Sequence, residues 1–371
     1  MRKMGIRPWN LVTVLCLVYS LAAILVRGGD PLMLVTIGAR FNPDAGDHAY
    51  SEEGYDGQFV YSIARDPDNA APTIDVPAYR FQRILLPAAG RVLGLGQAGI
   101  IPWTLLLVNL VSLASGTALL EKLLTERNLS RWYALGYGLT LGTFGAARLS
   151  LPEPLAYALI LGGITLAERE RWFTGAIFFA LAALAKEVTL VFVAGYGLYL
   201  LAQRRWSLAI RFGALATAPF VIWQLVLFSQ LGAFGVGSGG ALATGFEIIP
   251  FAGVIRILIA GGLPAFVVFG TLLGPFVLVP MWWALRQCWR DYRARDWSIY
   301  TYLLFVNGIV MLFVPFSTYR EPLGILRFIV GLQIGIILYA AHRHNIRVLR
   351  NSTIWVLTVF FVIVSDFAGG S

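Results

Sequence analysis

Long runs of apolar residues recur along the whole chain and are separated by short polar gaps. Runs of about 20 apolar residues are long enough to cross the hydrocarbon core of a bilayer as α-helices. Several runs are shorter, which implies tilted helices, a locally thinned bilayer or helices that stop inside the protein. The pattern predicts an all-α polytopic membrane protein with about 11 transmembrane helices in a single domain, residues 1–371, without a soluble domain. The predicted spans lie near residues 9–27, 99–120, 132–148, 154–167, 172–186, 188–203, 207–231, 263–285, 297–316, 323–341 and 353–367.

The chain carries a net charge of +9, and most of its basic residues stand in alternate gaps between the apolar runs. This bias follows the positive-inside rule, so the basic gaps are expected to face the cytoplasm. The N-terminus is then cytoplasmic and the C-terminus extracytoplasmic. Because the excess charge reflects topology, nucleic-acid binding is not expected. The basic gaps lie near residues 2–7, 122–131, 169–171, 204–211, 286–295 and 343–350.

The few cysteines and histidines do not predict a metal site. Cys16 lies inside the first predicted span and Cys288 in a cytoplasmic gap, which argues against a disulfide and a thiolate site. His48, His342 and His344 are too scattered to form a cluster of ligands. No cofactor is predicted, although the sequence alone leaves a divalent metal ion open.

A long polar insertion, residues 28–98, follows the first span and forms the predicted first extracytoplasmic loop. Within it Tyr55, Phe59 and Ile63 recur at helical spacing, which predicts a short amphipathic helix beginning near Asp56. The aromatic face of this helix is expected to lie on the membrane surface. A second apolar segment with basic residues follows. The loop is therefore expected to bring a carboxylate and several cations to the edge of the bilayer.

Charged residues also occur where other predicted spans meet the extracytoplasmic side. Lys186 and Glu187 interrupt an otherwise continuous apolar run, which predicts a tight helical hairpin with these two charges at its outer tip. Glu153 lies in a short turn between two spans, and Arg320 and Arg327 lie near another. These gaps either surround one cavity or are the ordinary polar ends of loops.

A carboxylate beside a set of cations at the outer surface suits the transfer of a sugar from a lipid phosphate. A general base must accept the proton of the acceptor hydroxyl, and cations must stabilise the departing phosphate. The predicted catalytic base is Asp56, and helix capping is the alternative role of its carboxylate. Possible additional acids are Glu53, Glu153 and Glu187. The predicted phosphate-binding residues are Arg80, Arg83, Lys186, Arg320 and Arg327.

Three stretches resemble one known group of membrane enzymes. They are residues 54–61 (GYDGQFVY), 77–87 (PAYRFQRILLP) and 185–189 (AKEVT). With one span, a long outer loop containing an early Asp and then many short spans, the chain resembles the GT-C superfamily of polyprenyl-phosphate-sugar-dependent glycosyltransferases. The likeness is to a bacterial branch linked to cell-surface glycopolymer formation.

The resemblance implies a GT-C-like fold with interfacial helices in the first outer loop, placed in the bacterial plasma membrane. It also implies a polyprenyl-phosphate sugar donor and a glycan or glycolipid acceptor that meet at the lipid bilayer. By this likeness Asp56 corresponds to the catalytic acid of the family. Many members add a C-terminal outer domain, which is not expected here. Many also pair two acids, whereas Gly57 follows Asp56 in this chain.

Two other functions fit the same pattern. A transporter or flippase for a lipid-linked saccharide would also need a charged cavity, but such proteins commonly contain two related halves, and no internal repeat is visible. A non-catalytic scaffold for envelope assembly would keep the fold without the chemistry. The sequence does not identify the sugar, the acceptor, the anomeric outcome or the oligomeric state.

Overall fold

The computed structural model of the chain describes residues 6–42, 46, 48–239 and 244–368, with side chains described as far as Asp366. Within these ranges the chain is built of helices joined by short turns, and no β-strand occurs. The α-helices are α1 (Pro8–Val26), α2 (Gly57–Arg65), α3 (Pro77–Phe81), α4 (Leu85–Leu93), α5 (Ile101–Thr125), α6 (Leu135–Gly138), α7 (Ala146–Arg148), α8 (Glu153–Glu168), α9 (Trp172–Ala185), α10 (Leu190–Ala202), α11 (Trp206–Leu231), α12 (Ala252–Leu273), α13 (Leu278–Ala294), α14 (Ile299–Val310), α15 (Phe316–Arg320), α16 (Pro322–Phe328), α17 (Val330–His342), α18 (Ile346–Ser352) and α19 (Val359–Ala368). The predicted all-α class is confirmed for this part of the chain.

In the described part of the chain, five helical segments are long and apolar enough to cross a membrane, or six if α16 and α17, which meet at 41°, form one bent span. The five segments are Pro8–Val26, Ile101–Thr125, Trp206–Leu231, Ala252–Leu273 and Ile346–Asp366. The structure thus supports a multi-pass membrane protein. The count of about 11 stays a prediction. Helices such as α8, α9 and α10 are shorter than the roughly 20 residues that a bilayer of about 30 Å requires.

Two predicted spans are interrupted in the structure. Residues 263–285 were expected to form one helix, but α12 ends at Leu273 and α13 begins at Leu278. Pro275 lies in this break, and proline removes a helical hydrogen bond and disfavours helical backbone in the residue before it. The other interrupted span, residues 132–148, is divided among short helical turns, including a π-helical turn at Leu141–Gly145.

Helices α8 and α9 form a closely packed hairpin. Gly163 of α8 lies against the backbone of Gly175 in α9, so that the two helices approach closely. Small residues allow such close packing between helices in a membrane, where van der Waals contact drives association. Around this hairpin, α5 packs on α8, and α11 packs on α9.

The loop segment between α1 and α5 folds onto the bundle through helices α2 to α4. As predicted, a helix begins directly after Asp56, and Phe59 and Ile63 lie on one face of it. The expectation that this face rests on lipid is wrong for these two side chains. They are only 3% and 2% exposed and pack against Phe81 and against Leu227 of α11. The apolar face of α2 is therefore covered by protein.

A buried ion pair ties the C-terminal helix to the rest of the bundle. Arg148 donates hydrogen bonds to Oδ1 of Asp366 at 3.0 Å and to the carbonyl oxygen of Met33 at 3.0 Å. Tyr19 of α1 donates to the other oxygen of Asp366 at 2.7 Å. One arginine therefore connects α7, α19 and the beginning of the long loop.

The structure places the long loop and the turn at Lys186 and Glu187 at the same end of the bundle, because Arg83 pairs with Glu187 at 2.6 Å. We call this the loop end. The beginnings of α9 and α11 lie at the opposite end.

We predict that the loop end faces the cell exterior, as the distribution of basic residues indicates. Asn69 at the loop end and Glu170 at the opposite end are both exposed, whereas Cys16 and Cys288 are buried. In a background without these two cysteines, Asn69→Cys should react with an impermeant maleimide on intact cells. Glu170→Cys should react only after permeabilisation, and both should react in detergent. The reverse labelling pattern would show that the orientation is inverted.

Candidate functional site

Asp56 occupies the residue before α2, but its carboxylate does not cap that helix. Oδ1 forms an ion pair with Nη1 of Arg80 at 2.9 Å, and Oδ2 accepts hydrogen bonds from both terminal nitrogens of Arg327 at 3.0 Å. The side chain is 26% exposed. The Asp56 carboxylate therefore does not have the capping role that was considered as the alternative. It lies between two guanidinium groups instead.

The backbone around Asp56 explains why no second acid follows it. Gly57 packs directly against the carbonyl oxygen of Leu149, so that a Cβ at this position would overlap it. Gly54 has φ of +67°, a left-handed conformation that favours glycine. Asp56 therefore stands between two positions at which the fold requires a residue without a side chain.

Arg80 is held on two sides. Its Nε and Nη2 donate to the two oxygens of Asp75 at 2.8 Å each, which leaves Nη1 for Asp56. Its guanidinium also lies 4.4 Å from the centre of the Phe59 ring. A bidentate pair of this kind fixes the plane of the guanidinium as well as its charge. Asp75 therefore positions Arg80 toward Asp56.

Arg327 connects Asp56 to a more deeply buried pair. Its Nη1 lies 3.8 Å from Oε1 of Glu153, and that same oxygen accepts a hydrogen bond from Nζ of Lys186 at 2.6 Å. Glu153 and Lys186 are both buried. Oε2 of Glu153 accepts no hydrogen bond from any described residue. Lys186 thus lies inside the protein and not on a solvated tip, and Glu187 beside it is 18% exposed.

Arg83 makes a second bidentate pair beside the first. It donates to the two oxygens of Glu187 at 2.8 and 2.6 Å and to the hydroxyl oxygen of Tyr79 at 2.8 Å. Arg80 and Arg83 stand three positions apart, and both were predicted to bind the donor phosphate. In the structure they instead pair with different carboxylates.

These contacts form what we call the charge network. It matches four cations with four carboxylates, and the expected excess of positive charge is absent from these eight residues. Of the four acids, Asp56 is the most exposed and Glu153, at 2%, the least. The members are Asp56, Asp75, Arg80, Arg83, Glu153, Lys186, Glu187 and Arg327.

The charge network keeps Asp56 ionised. Burial disfavours the charged form, but the guanidinium groups of Arg80 and Arg327 outweigh this effect and hold the pKa of the Asp56 carboxyl well below its usual value. A carboxylate in this state accepts hydrogen bonds readily, but it is a weak base until part of the surrounding positive charge is used by another anion.

Two predicted site residues lie outside the charge network. Arg320 is exposed, its guanidinium lies 5.6 Å from the centre of the Phe316 ring, and no ion pair joins it to a described residue. Glu53 is also exposed and pairs with Arg40 at 2.7 Å. The structure brings together the other candidates, namely Asp56, Arg80, Arg83, Glu153, Lys186, Glu187 and Arg327.

Sequence reasoning missed Asp75 and the polar role of Tyr55. Asp75 stands five residues before Arg80 and two before the proline that starts α3, so the spacing Asp75-x-Pro77-x-x-Arg80 was the available signal. Tyr55 was read only as apolar, yet its hydroxyl donates to Glu321 at 3.0 Å and its ring lies 5.1 Å from the guanidinium of Arg327.

Within the described ranges, no three side chains of His, Cys, Asp or Glu lie together as a metal site would require. In comparisons with protein-family models, characterised proteins and solved structures, nothing matches the chain. The chemistry of the charge network must therefore be judged from its own geometry.

We predict that the buried ion pair of Glu153 and Lys186 contributes more to the stability of the fold than the exposed pair of Arg40 and Glu53. Lys186→Met leaves the Glu153 carboxylate buried with only the more distant Arg327, which should cost about 3–5 kcal/mol. The double variant Lys186→Met/Glu153→Leu removes both charges and should recover part of that loss. Thermal unfolding in one detergent measures the difference.

The control for this experiment is Glu53→Gln, which breaks an exposed pair and should change stability by about 1 kcal/mol or less. If Lys186→Met unfolds at the same temperature as the wild type, the pair does not stabilise the fold.

Proposed function

We propose that this protein is a membrane glycosyltransferase. It would move a sugar from a polyprenyl-phosphate-linked donor to a glycan or glycolipid acceptor at the extracytoplasmic face of the bacterial plasma membrane. The observation that carries the proposal is the Asp56 carboxylate, which is partly exposed, caps no helix and lies between the guanidinium groups of Arg80 and Arg327. A base and a phosphate site would then share one location at the edge of the bundle.

In the proposed reaction Asp56 acts as the base, and Arg80 and Arg327 bind the phosphate. The acceptor hydroxyl oxygen bonds to the anomeric carbon of the sugar as the bond from that carbon to the phosphate oxygen breaks. The hydroxyl proton passes to Asp56, and the polyprenyl phosphate leaves with its charge stabilised by Arg80 and Arg327. No nucleotide takes part in this scheme.

Donor binding would activate the base. In the free protein Arg80 is ion-paired with Asp56, and Arg327 is hydrogen-bonded to it. A donor phosphate would take part of that hydrogen bonding, and a carboxylate that loses positive partners gains proton affinity. The pKa of Asp56 would therefore rise when the donor phosphate is in place.

The remaining members of the charge network would act as positioning residues. Asp75 orients Arg80, and Glu153 lies behind Arg327 with its own charge matched by Lys186. Preorganised cations stabilise developing charge without having to rearrange during the reaction. Of the predicted phosphate-binding residues, only Arg80 and Arg327 are therefore proposed to contact the donor phosphate. Arg83 and Lys186 instead pair with Glu187 and Glu153.

The matched charges of the charge network also favour a second candidate. A non-catalytic scaffold would need the ion pairs only to fasten the loop to the bundle. Release of polyprenyl phosphate by purified protein separates the two candidates, because neither a scaffold nor a transporter cleaves the donor.

We predict that Asp56→Asn lowers sugar transfer at least about a hundredfold, because an amide cannot accept the proton. The variant should insert and still bind donor, since it keeps the shape of the side chain. The matched control is Glu53→Gln in the same loop, which should transfer within a few-fold of the wild type. If Asp56→Asn retains nearly full activity, Asp56 is not the base.

We also predict that Arg80→Ala or Arg327→Ala slows turnover about ten- to a hundredfold, the effect of losing one charged hydrogen bond of roughly 1.5–3 kcal/mol. Lysine at either position should restore only part of the rate, because the bidentate geometry is lost. Arg320→Ala serves as the control and should have little effect. Equal loss in all three alanine variants would indicate a general charge effect and not a phosphate site.

A further inference from the structure

A basic cavity lies at the opposite end of the bundle from the charge network. It has a volume of about 530 Å³ and is formed where α9 begins and where α10 turns into α11. Small-molecule sites typically have volumes of about 300–1,000 Å³. The residues that line it are Trp172, Arg204, Arg205, Trp206, Ser207, Leu208 and Arg211.

The cations of this cavity are not neutralised in the way that those of the charge network are. Arg205 lies 3.8 Å from Glu170, and both side chains are largely exposed, so the pair is weak. Arg204 and Arg211 form no ion pair with any described residue. The cavity thus offers three guanidinium groups against a single exposed carboxylate.

The start of α11 adds to the attraction for an anion. Arg205 precedes this helix, and no side chain caps its first turn. The first N–H groups of a helix lack acceptors within the helix, and they favour a phosphate or carboxylate. Trp206, Ser207 and Leu208, the first residues of α11, all line the cavity.

The surroundings of the cavity indicate that the anion belongs to a lipid. Trp172 and Trp206 line it, and tryptophan is enriched where helices meet the membrane surface. Ile210, one turn after Trp206 on α11, is 70% exposed and extends an apolar surface from the cavity. A free inorganic anion would gain nothing from this surface, whereas an acyl chain would be buried on it.

A second cavity provides a contrast. It is lined by Arg290 and Arg343 among others, but Arg343 is held by Asp291 at 2.9 Å and by Asp296 at 2.5 Å. Its half-buried Arg343 is therefore already paired with protein carboxylates, and this cavity carries no comparable excess of positive charge.

We propose that the cavity between α9 and α11 binds the headgroup of an anionic phospholipid, with the phosphate at Arg204, Arg205 and Arg211 and the acyl chains along the exposed face of α11. Basic pockets between transmembrane helices are suited to such headgroups. The site is separate from the proposed transfer reaction and does not depend on it.

The test uses the delipidated full-length protein and measures bound lipid by native mass spectrometry. Dioleoylphosphatidylglycerol should bind more tightly than dioleoylphosphatidylcholine, which has no net charge. Arg204→Gln/Arg211→Gln should weaken phosphatidylglycerol binding about ten- to thirtyfold. The charge-matched control Arg286→Gln/Arg293→Gln changes two exposed arginines of α13 outside the cavity and should leave binding unchanged.

A gain-of-binding variant makes the test independent of damage to the fold. Glu170→Gln removes the carboxylate that competes for Arg205 and should tighten phosphatidylglycerol binding. The proposal is overturned if the two double variants lose binding equally, if phosphatidylcholine binds as tightly, or if Glu170→Gln has no effect. Displacement of the lipid by millimolar inorganic phosphate would also overturn it, since that outcome indicates a site for free anions.

Discussion

The burial of charge in a largely apolar chain is the constraint on which this structure depends. An isolated charge inside a membrane protein is costly, and it is tolerated when an opposite charge with good geometry lies beside it. The buried charged residues of the described part are Glu121, Arg148, Glu153, Lys186, Asp291 and Asp366. Each of them has an oppositely charged partner at 2.6 to 3.0 Å.

At the loop end this constraint organises the architecture. The charge network draws its residues from the long loop, from the beginning of α8, from the end of α9 and from α16. Because removal of one partner leaves another charge buried and unpaired, these segments are held in a single arrangement. The charge network thus attaches the polar loop to the apolar bundle. Because ion pairs with bidentate geometry are directional, they fix the position of the loop more narrowly than hydrophobic packing of α2 alone would.

The ion pairs of the charge network would both favour and oppose the binding of a phosphate. It orients the guanidinium groups of Arg80 and Arg327, as a phosphate site requires, and it also occupies them in the free protein. In the proposed reaction the donor phosphate would therefore have to compete with Asp56 for these arginines. The basic cavity at the other end lacks such pairing, so its cations are already available to a ligand. The arginines at the loop end are therefore paired with carboxylates, whereas those of the basic cavity have only the exposed Glu170 nearby.

Hydrophobic periodicity and local backbone preference were enough to predict the helical class, the multi-pass membrane character and the helix that begins after Asp56. Every residue of the charge network except Asp75 was also singled out from the sequence. The tertiary structure decided which charges are partners. Asp56 and Arg327 are separated by 271 positions, and Glu153 and Lys186 by 33, so their pairing depends on how α8, α9 and α16 pack together. It also decided that Phe59 and Ile63 face protein and that Arg320 and Glu53 face solvent, because burial is a property of the packed helices and not of residue type.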